Sequence, residues 1–93
     1  MRFEWDDEKN ARNRRKHGVT FEVASAVFYD PLHSTTHDGV VNGEDRWSTV
    51  GVVGNRYLMM VAHTLEDEDG ELVRIISARE ATPHERRTYE DDL

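Results

Sequence analysis

Two arginines stand where an arginine is rarely found, in and at the end of an apolar run of β-branched residues. The run reads VRIISAR, and its arginines are Arg74 and Arg79. An arginine side chain is seldom buried unless an anion meets it. A guanidinium offers five N–H donors whose fork matches the oxygens of a phosphate or a carboxylate. The run therefore predicts either a phosphate-binding site or a structural ion pair.

These two interpretations compete for each strand arginine. A period of two along the strand predicts that Arg74 and Arg79 lie on opposite faces of a sheet. For either one alone, an ion pair with Glu80, Glu85 or an acid of a neighbouring strand is the simpler interpretation. Arg46 begins another predicted strand, and three such arginines in one small protein favour a phosphate. We therefore treat all three as candidate catalytic residues.

A basic stripe lies elsewhere in the chain, on the predicted helix DEKNARNRRKH at residues 7–17. At 100° per residue, Lys9, Arg12 and Lys16 share one face of that helix, with Arg15 beside them. The simpler interpretation is a solvated surface helix, which is common. In a chain whose formal net charge is −7, however, such a stripe favours contact with a phosphate backbone.

The other candidates for chemistry are weaker. His63, in the middle of a predicted strand, is either a core histidine or a general acid–base group, and the core interpretation is at least as good. His33 and His37 have the i, i+4 spacing of helical metal ligands, but a strand places them about 13 Å apart. The segment DEDG lacks the full spacing of a calcium loop. With zero cysteines and no G-x-S-x-G, we expect no metal, no cofactor and no nucleophilic side chain.

Length and composition limit the architecture. Ninety-three residues, 37% of them apolar, suffice for a single domain spanning residues 1–93. No apolar run approaches the length of a membrane span, and Met1 leads directly into RFEWDDEKN without a signal-peptide pattern. The lack of cysteine fits a cytoplasmic protein. Six of the twelve Lys and Arg residues lie within residues 1–18, so the acidic chain carries a basic patch.

The elements that must position these residues follow from pattern and turn signals. FEWD can form a short strand, and Asp6 and Gly18 can begin and end the helix of residues 7–17. A second helix, FEVASAVF, is capped by Thr20 and ended by Pro31. The strands RWSTVGVV, RYLMMVAHTL and ELVRIISA follow the turn signals HDG and NG, and GN at residues 54–55 predicts a two-residue hairpin. Thr82 and Glu85 form a capping box that opens the last helix, PHERRTYEDD.

The order of these elements predicts an α+β fold. A small antiparallel sheet of three to four strands is flanked by two N-terminal helices and one C-terminal helix. The central strands carry apolar residues on both faces. We therefore expect helices on one face of the sheet and a substrate cleft or a partner on the other.

Four stretches cover nearly the whole length of the chain, in the order FEWDDEKNARNRRKHGVTFEVASAVFYDP, EDRWSTVGVV, YLMMVAHT and VRIISAREATPHERRTYE. In sequence and order they resemble the BrnT family of bacterial type II toxins. The resemblance implies a RelE-like fold and a ribonuclease that inhibits translation and is neutralised by a BrnA-type antitoxin with a ribbon-helix-helix DNA-binding domain. It also implies a toxin–antitoxin heterotetramer that reaches operator DNA only through the antitoxin.

The resemblance extends to single residues. The matching family positions are Lys16, His17, Arg46, Arg74, Ser77, Arg79, Glu85, Arg86 and Tyr89. Together with the helix stripe it implies that RNA is contacted by Lys9, Arg12, Lys16, His17 and Arg86. The chain departs from the family after its histidine-containing strand, where an arginine is frequent and this chain has the acidic TLEDEDG. A catalytically inactive homologue that binds the antitoxin as a co-repressor is therefore the alternative function.

Metal-independent cleavage of RNA sets the roles that these residues would take. A base removes the 2′-OH proton, the oxygen attacks the adjacent phosphorus in line, and the 5′-oxygen leaves with a proton. Arg74 and Arg79, helped by Arg46, would neutralise the charge that gathers on the phosphoryl oxygens. His63, Lys16 or His17 would move the protons.

Overall fold

The computed structural model describes residues 1–54 and 57–91. Its strands are β1 (Arg2–Glu4), β2 (Ser34–Val41), β3 (Glu44–Val53), β4 (Tyr57–Leu65) and β5 (Leu72–Glu80), and its helices are α1 (Asp7–His17), α2 (Phe21–Ala24) and α3 (Pro83–Asp91). The strands form one sheet in the order β1-β5-β4-β3-β2. The α+β class is thus confirmed.

The predicted sheet of three to four antiparallel strands is wrong in number and in direction. The described sheet has five strands, and β1 pairs with β5 in parallel, with Phe3 opposite Val73. The Phe3 ring packs 5.4 Å from the ring of Phe28. A strand of three residues carries too little periodicity to reveal its neighbour, whereas burial of the Phe3 ring against the core fixes it in the folded chain.

The helices begin and end where their capping residues predict. The Asp6 side chain accepts from the Lys9 N–H at 3.0 Å, and Gly18 ends α1 in the left-handed conformation. The second predicted helix is α-helical only over α2 and continues as a 3₁₀ segment at Ser25–Tyr29. No helix within the described ranges is long and apolar enough to cross a membrane.

The first hairpin turn lies at NG and not at HDG. Asn42 and Gly43 both have positive φ, at 51° and 79°, as a two-residue turn of this kind requires. The segment HDG lies inside β2, where the pairing register with β3 shifts between His37 and Gly39. Asp38 is therefore the extra residue of a β-bulge. The predicted hairpin at residues 54–55 extends outside the described residues.

A second bulge, in β5, decides where the arginines point. Ala62 of β4 pairs with Ser77, whereas the next residue, His63, pairs with Ile75. The skipped residue reverses the alternation of side chains along β5. As a result Arg74 and Arg79 lie on the same face of the sheet, and the prediction of opposite faces is wrong.

Different helices pack on the two faces of the sheet. On the covered face, α2 and the 3₁₀ segment pack on the sheet around the buried residues Val19, Phe21, Ala24, Val27, Phe28, Met59, Val61, Val73, Ile75 and Ala78. The other, which we call the open face, carries Arg46, Ser48, Arg74, Ser77 and Arg79. There α3 packs through Tyr89 onto Val50, Leu58 and Met60. Helices were expected on one face only, and α3 contradicts that expectation.

Candidate functional site

Arg74 lies on the open face between two carboxylates. Its Nη2 donates to Glu44 at 2.6 Å, and its Nε lies 3.3 Å from Glu66. Glu44 belongs to β3, two strands away, and its carboxylate also lies 3.7 Å from Nη2 of Arg46. One anionic group thus stands between two guanidinium groups. Arg74 therefore forms a structural ion pair within its own chain, as the simpler of the two interpretations predicted.

Two buried polar atoms beside this network lack a partner among the described residues. They are Nε of Arg46 and Oγ1 of Thr64. Thr64 is paired with Arg74 across β4 and β5. A buried donor without a partner costs roughly 1–3 kcal/mol. Since each guanidinium has five N–H donors, Arg46 and Arg74 retain donors for a second anion while Glu44 is bound.

Arg79 is held by a bidentate ion pair with the first turn of α3. Its Nη1 and Nη2 donate to the two carboxylate oxygens of Glu85 at 2.8 and 3.0 Å. This hydrogen bonding holds the pKa of Glu85 below its usual range, although burial acts in the opposite direction. Glu85 also accepts from the Thr82 N–H at 2.9 Å. The predicted capping box is confirmed, and Arg79 is part of it.

The basic stripe of α1 lies beside these arginines. Lys9, Arg12 and Lys16 line a hollow together with Ile76 and Ser77 of β5. A neighbouring hollow of about 340 Å³ is lined by Asp6, Lys9, Glu44, Arg46, Arg74, Ile75 and Ile76. Both hollows share Lys9 and Ile76, so they lie next to each other. We call the surface formed by Lys9, Arg12, Lys16, Arg46 and Arg74 the basic surface.

A buried asparagine places α1 there, although the helix has almost no apolar face. The Asn13 side chain accepts from the Ala78 N–H at 3.1 Å and donates to the carbonyls of Ala78 and Val19, both at 2.9 Å. The N–H and carbonyl of Ala78 are backbone groups that a further strand would pair with at the edge of β5. Asn13 thus takes the place of a strand neighbour and fixes the distance from the stripe to the sheet.

His63 lies on the covered face and is 1% exposed. Its Nε2 is 2.7 Å from Thr49 Oγ1, its Nδ1 is 3.2 Å from the Thr64 carbonyl, and the Phe28 ring packs edge-on at 5.0 Å. Burial lowers the pKa of His63, which favours the neutral ring. The geometry therefore favours the interpretation as a core histidine, because the ring does not reach the open face.

The other two predicted RNA-contacting residues, His17 and Arg86, lie on different parts of the molecule. His17 lines the α1 hollow beside Lys16, at the C-terminal end of the basic surface. Arg86 is exposed on α3 and lines neither hollow of the basic surface. The structure thus brings His17, but not Arg86, to the basic surface.

The possible metal ligands do not converge. His33 Nδ1 lies 2.7 Å from the Asp30 carbonyl, and His37 Nε2 lies 2.8 Å from an Asp45 carboxylate oxygen. Within residues 1–54 and 57–91, no group of three or more His, Cys, Asp or Glu side chains is placed to hold a metal ion.

A third hollow on the open face was missed from the sequence. It has a volume of about 280 Å³ and is lined by Ser34, Thr36, Asp38, Ser48, Val50, His84, Glu85, Thr88 and Tyr89. We call it the polar hollow. The glycine in HDG signals irregular backbone, but a turn and a bulge share that signal. Glu44 and Glu66, the partners of Arg74, were missed because strand pairing sets their distance and local sequence does not.

The chain is similar to a known protein family and to a solved structure. A family model described as "Ribonuclease toxin, BrnT, of type II toxin-antitoxin system" matches residues 5–85. The chain is also similar to the crystal structure of the Brucella abortus ribonuclease toxin BrnT, with 27% sequence identity and a TM-score of 0.65. That similarity covers 88% of this chain and 97% of the Brucella chain. No curated protein matches.

Proposed function

The chain belongs to the BrnT family of ribonuclease toxins of type II toxin–antitoxin systems, and from that premise we propose that it is a metal-independent endoribonuclease that cleaves mRNA and so inhibits translation. One observation carries the proposal. The stripe of α1 and the arginines of the open face, Arg46 and Arg74, line two adjacent hollows that share Lys9. A strip of cations on an otherwise acidic chain suits a single-stranded phosphate backbone.

Arg46 and Arg74 are the groups proposed to bind the scissile phosphate. Both arginines line the hollow that Glu44 also lines, and each has N–H donors beyond those directed at Glu44. Held by strands, they need no rearrangement as charge develops on the phosphoryl oxygens, which is the main source of rate enhancement in such a site. Arg79 can contribute only after it exchanges Glu85 for a phosphate, so we assign it a secondary role.

The proton transfers fall to residues of the basic surface. The base removes the 2′-OH proton, the 2′-oxygen bonds to phosphorus, and the bond to the 5′-oxygen breaks as that oxygen receives a proton. The products are a 2′,3′-cyclic phosphate and a 5′-OH. Lys16 and His17 at the end of α1 are the proposed proton carriers. His63 is given no part, because it is enclosed on the covered face.

We further propose the remaining properties of the system. The chain folds as one domain of the RelE-like type, acts in the cytoplasm and is neutralised by a BrnA-type antitoxin. The two proteins form a heterotetramer that reaches operator DNA through the antitoxin. Family membership supports an antitoxin partner, and the exposed arginines offer it ion pairs.

A second function is favoured by one specific observation. Arg74 and Arg79 are each already paired with carboxylates of their own chain, Glu44, Glu66 and Glu85. Arginines neutralised in this way suit an inactive homologue that binds the antitoxin as a co-repressor. In that case RNA would not compete with the internal carboxylates.

Substitution of Arg74 separates the two functions. We expect Arg74→Ala to abolish the growth arrest caused by the lone chain in a bacterial host and to lower RNA cleavage roughly 10²–10³-fold in purified, antitoxin-free protein. The matched control is Arg87→Ala, because Arg87 is exposed on α3 and should remain toxic. Arg79→Ala should lower toxicity less than Arg74→Ala does, in keeping with its secondary role. Because it also loosens Glu85, circular dichroism must show that α3 is retained. Full toxicity of a folded Arg74→Ala protein, or normal growth with the unmodified chain, contradicts the ribonuclease assignment.

A further inference from the structure

The polar hollow is the third opening on the open face, and the proposed phosphate chemistry does not use it. We propose that it is a nucleobase site that selects guanine next to the phosphate bound by Arg46 and Arg74, with Asp38 as the residue that reads the base. The inference rests on the proposed function, because it names the nucleotide that this ribonuclease would recognise.

The bulge in β2 is what aims Asp38 into the hollow. The pairing register shifts between His37 and Gly39, so Asp38 has no partner residue across the strands and its side chain turns to the open face. Its carboxylate accepts a hydrogen bond from the Ser48 hydroxyl. A carboxylate has about four lone-pair positions, so an oriented acceptor is available to a ligand. A bulge placed beside a site commonly has this effect.

The lining selects a neutral ligand that carries N–H donors. Of the nine described residues that line the hollow, none is Lys or Arg, and two are acidic. Glu85 is already paired with Arg79, so Asp38 is the acid that disfavours a phosphate there and attracts an amino group. Val50 and Tyr89 supply an apolar wall, which a flat base can contact. A volume of about 280 Å³ lies just below the range of roughly 300–1,000 Å³ that drug-sized ligands occupy and suits a smaller ligand such as one base.

The position of the hollow links it to the basic surface. Ser48, which holds Asp38, and Arg46 are two residues apart on the same face of β3, a spacing of about 6.6–6.8 Å. A phosphate on Arg46 therefore has its own nucleoside within reach of the hollow. One nucleotide then binds at both sites, with its phosphate on the arginines and its base at Asp38.

The edge chemistry of the bases then favours guanine. Guanine presents two adjacent N–H groups, at N1 and N2, which one carboxylate can accept together in a bidentate pair. Cytosine and adenine present an amino group beside a ring acceptor, and uracil presents one N–H between two carbonyls. Each of these places an acceptor against Asp38 or leaves one of its oxygens unpaired, and such mismatches weaken binding relative to guanine.

The first test is a map of cleavage sites in an RNA of mixed sequence. We expect a preference for guanine of at least about tenfold, since one charged hydrogen bond is worth 1.4 kcal/mol or more. Asp38→Asn replaces an acceptor oxygen by an NH₂ donor, so the preference should fall below about twofold while cleavage elsewhere continues. Asp45→Asn, on the same hairpin but paired with His37, is the control and should keep the preference. An absent guanine preference, or one that persists in Asp38→Asn, overturns the inference.

A second measurement does not depend on catalysis. Guanosine should shift the backbone amide resonances of Ser48 and Thr88 in the full chain, and uridine should not. Inorganic phosphate should instead shift those of Arg46 and Arg74. Guanosine shifts in a protein that cleaves no RNA would support the site and contradict the ribonuclease proposal. Equal shifts with guanosine and uridine, or none with either, reject the site whatever the cleavage result.

Discussion

At the scale of single residues, Asp30 and Tyr89 form the bond that holds α3 on the open face. The Tyr89 hydroxyl donates to Asp30 at 2.6 Å, and the same carboxylate oxygen accepts from the Val52 N–H at 2.8 Å. Burial works to raise the pKa of Asp30, but these hydrogen bonds outweigh it and the pKa is lowered. The bond to Asp30 raises the pKa of Tyr89 from 10.0 to about 12. Both shifts favour the folded state near neutral pH.

Tyr89→Phe should therefore change stability in a pH-dependent way. The lowered pKa of Asp30 gives stability that is present above its unfolded value of 3.8 and is lost as pH falls through the folded value. The raised pKa of Tyr89 gives stability that is present below pH 10 and is lost between pH 10 and about 12. We expect the variant to lose roughly 1–3 kcal/mol at pH 7, with a smaller loss at pH 3 and at pH 12.

Urea unfolding at these three pH values measures the effect. Tyr57→Phe is the matched control, because Tyr57 is 66% exposed and its hydroxyl can remain in water. Its free energy of unfolding should equal that of the unmodified protein at all three pH values. A Tyr89→Phe difference that is independent of pH would mean that the ring and not the hydroxyl bond holds α3.

The residue scale also shows what sequence can and cannot predict about this site. Arginine in an apolar strand predicted that Arg74 and Arg79 meet anions, and each does. Whether the anion is a carboxylate or a phosphate depends on which strand lies alongside. Glu44, separated from Arg74 by 30 positions in the chain, enters the site only through sheet pairing. Local sequence contains no information on that distance.

At the scale of elements, α1 is held by polar contacts where other helices use apolar packing. Besides the three hydrogen bonds of Asn13, Asn10 accepts from the Phe21 N–H and donates to Glu22, both at 2.8 Å. None of the residues in the main core cluster belongs to α1. Asn13 therefore joins the helix to the sheet and Asn10 joins it to α2, while the cationic stripe stays exposed.

Asn13→Ala should destabilise the protein by roughly 2–4 kcal/mol, because the Ala78 N–H and two carbonyls lose their partner in a buried position. Arg14→Ala, at the next and exposed position of α1, should change stability by about 0.5 kcal/mol or less. Urea midpoints of both variants decide the matter. Similar midpoints would show that α1 is held by other contacts.

Capping and turn residues made the elements predictable, whereas bulges did not. Asp6, Gly18, Thr82 and Glu85 act within one turn of the residues they cap, so the bounds of α1 and the start of α3 followed from sequence. Ile76 follows Ile75 in the run VRIISAR, and no glycine or proline beside it marks it as the skipped residue of a bulge. The tertiary packing of both β5 faces selects it, and with it the face on which Arg79 lies.

At the scale of the whole molecule, charge is separated although its sum is negative. The formal net charge is −7, while the cations Lys9, Arg12 and Lys16 gather at one edge of the sheet next to Arg46. A uniform chain of this charge would repel RNA. Because the charges are separated, RNA can bind at the basic surface, while the acidic remainder of the molecule limits nonspecific contact with RNA.

Two charge-reversal variants on α1 test whether RNA binding depends on the position of a cation or on the net charge of the chain. Arg12→Glu and Arg14→Glu both change the formal net charge from −7 to −9, but Arg12 lines the basic surface and Arg14, about 200° away around the helix, does not. We expect Arg12→Glu to weaken binding of single-stranded RNA at least about tenfold at 50 mM salt and to reduce the salt dependence by roughly one phosphate contact. Arg14→Glu should stay within about twofold, as measured by fluorescence anisotropy between 50 and 200 mM salt. If both variants weaken binding equally, the net charge governs RNA affinity and RNA does not bind along the basic surface. If only Arg12→Glu weakens binding, RNA binds along the edge of the sheet where Arg12 lies.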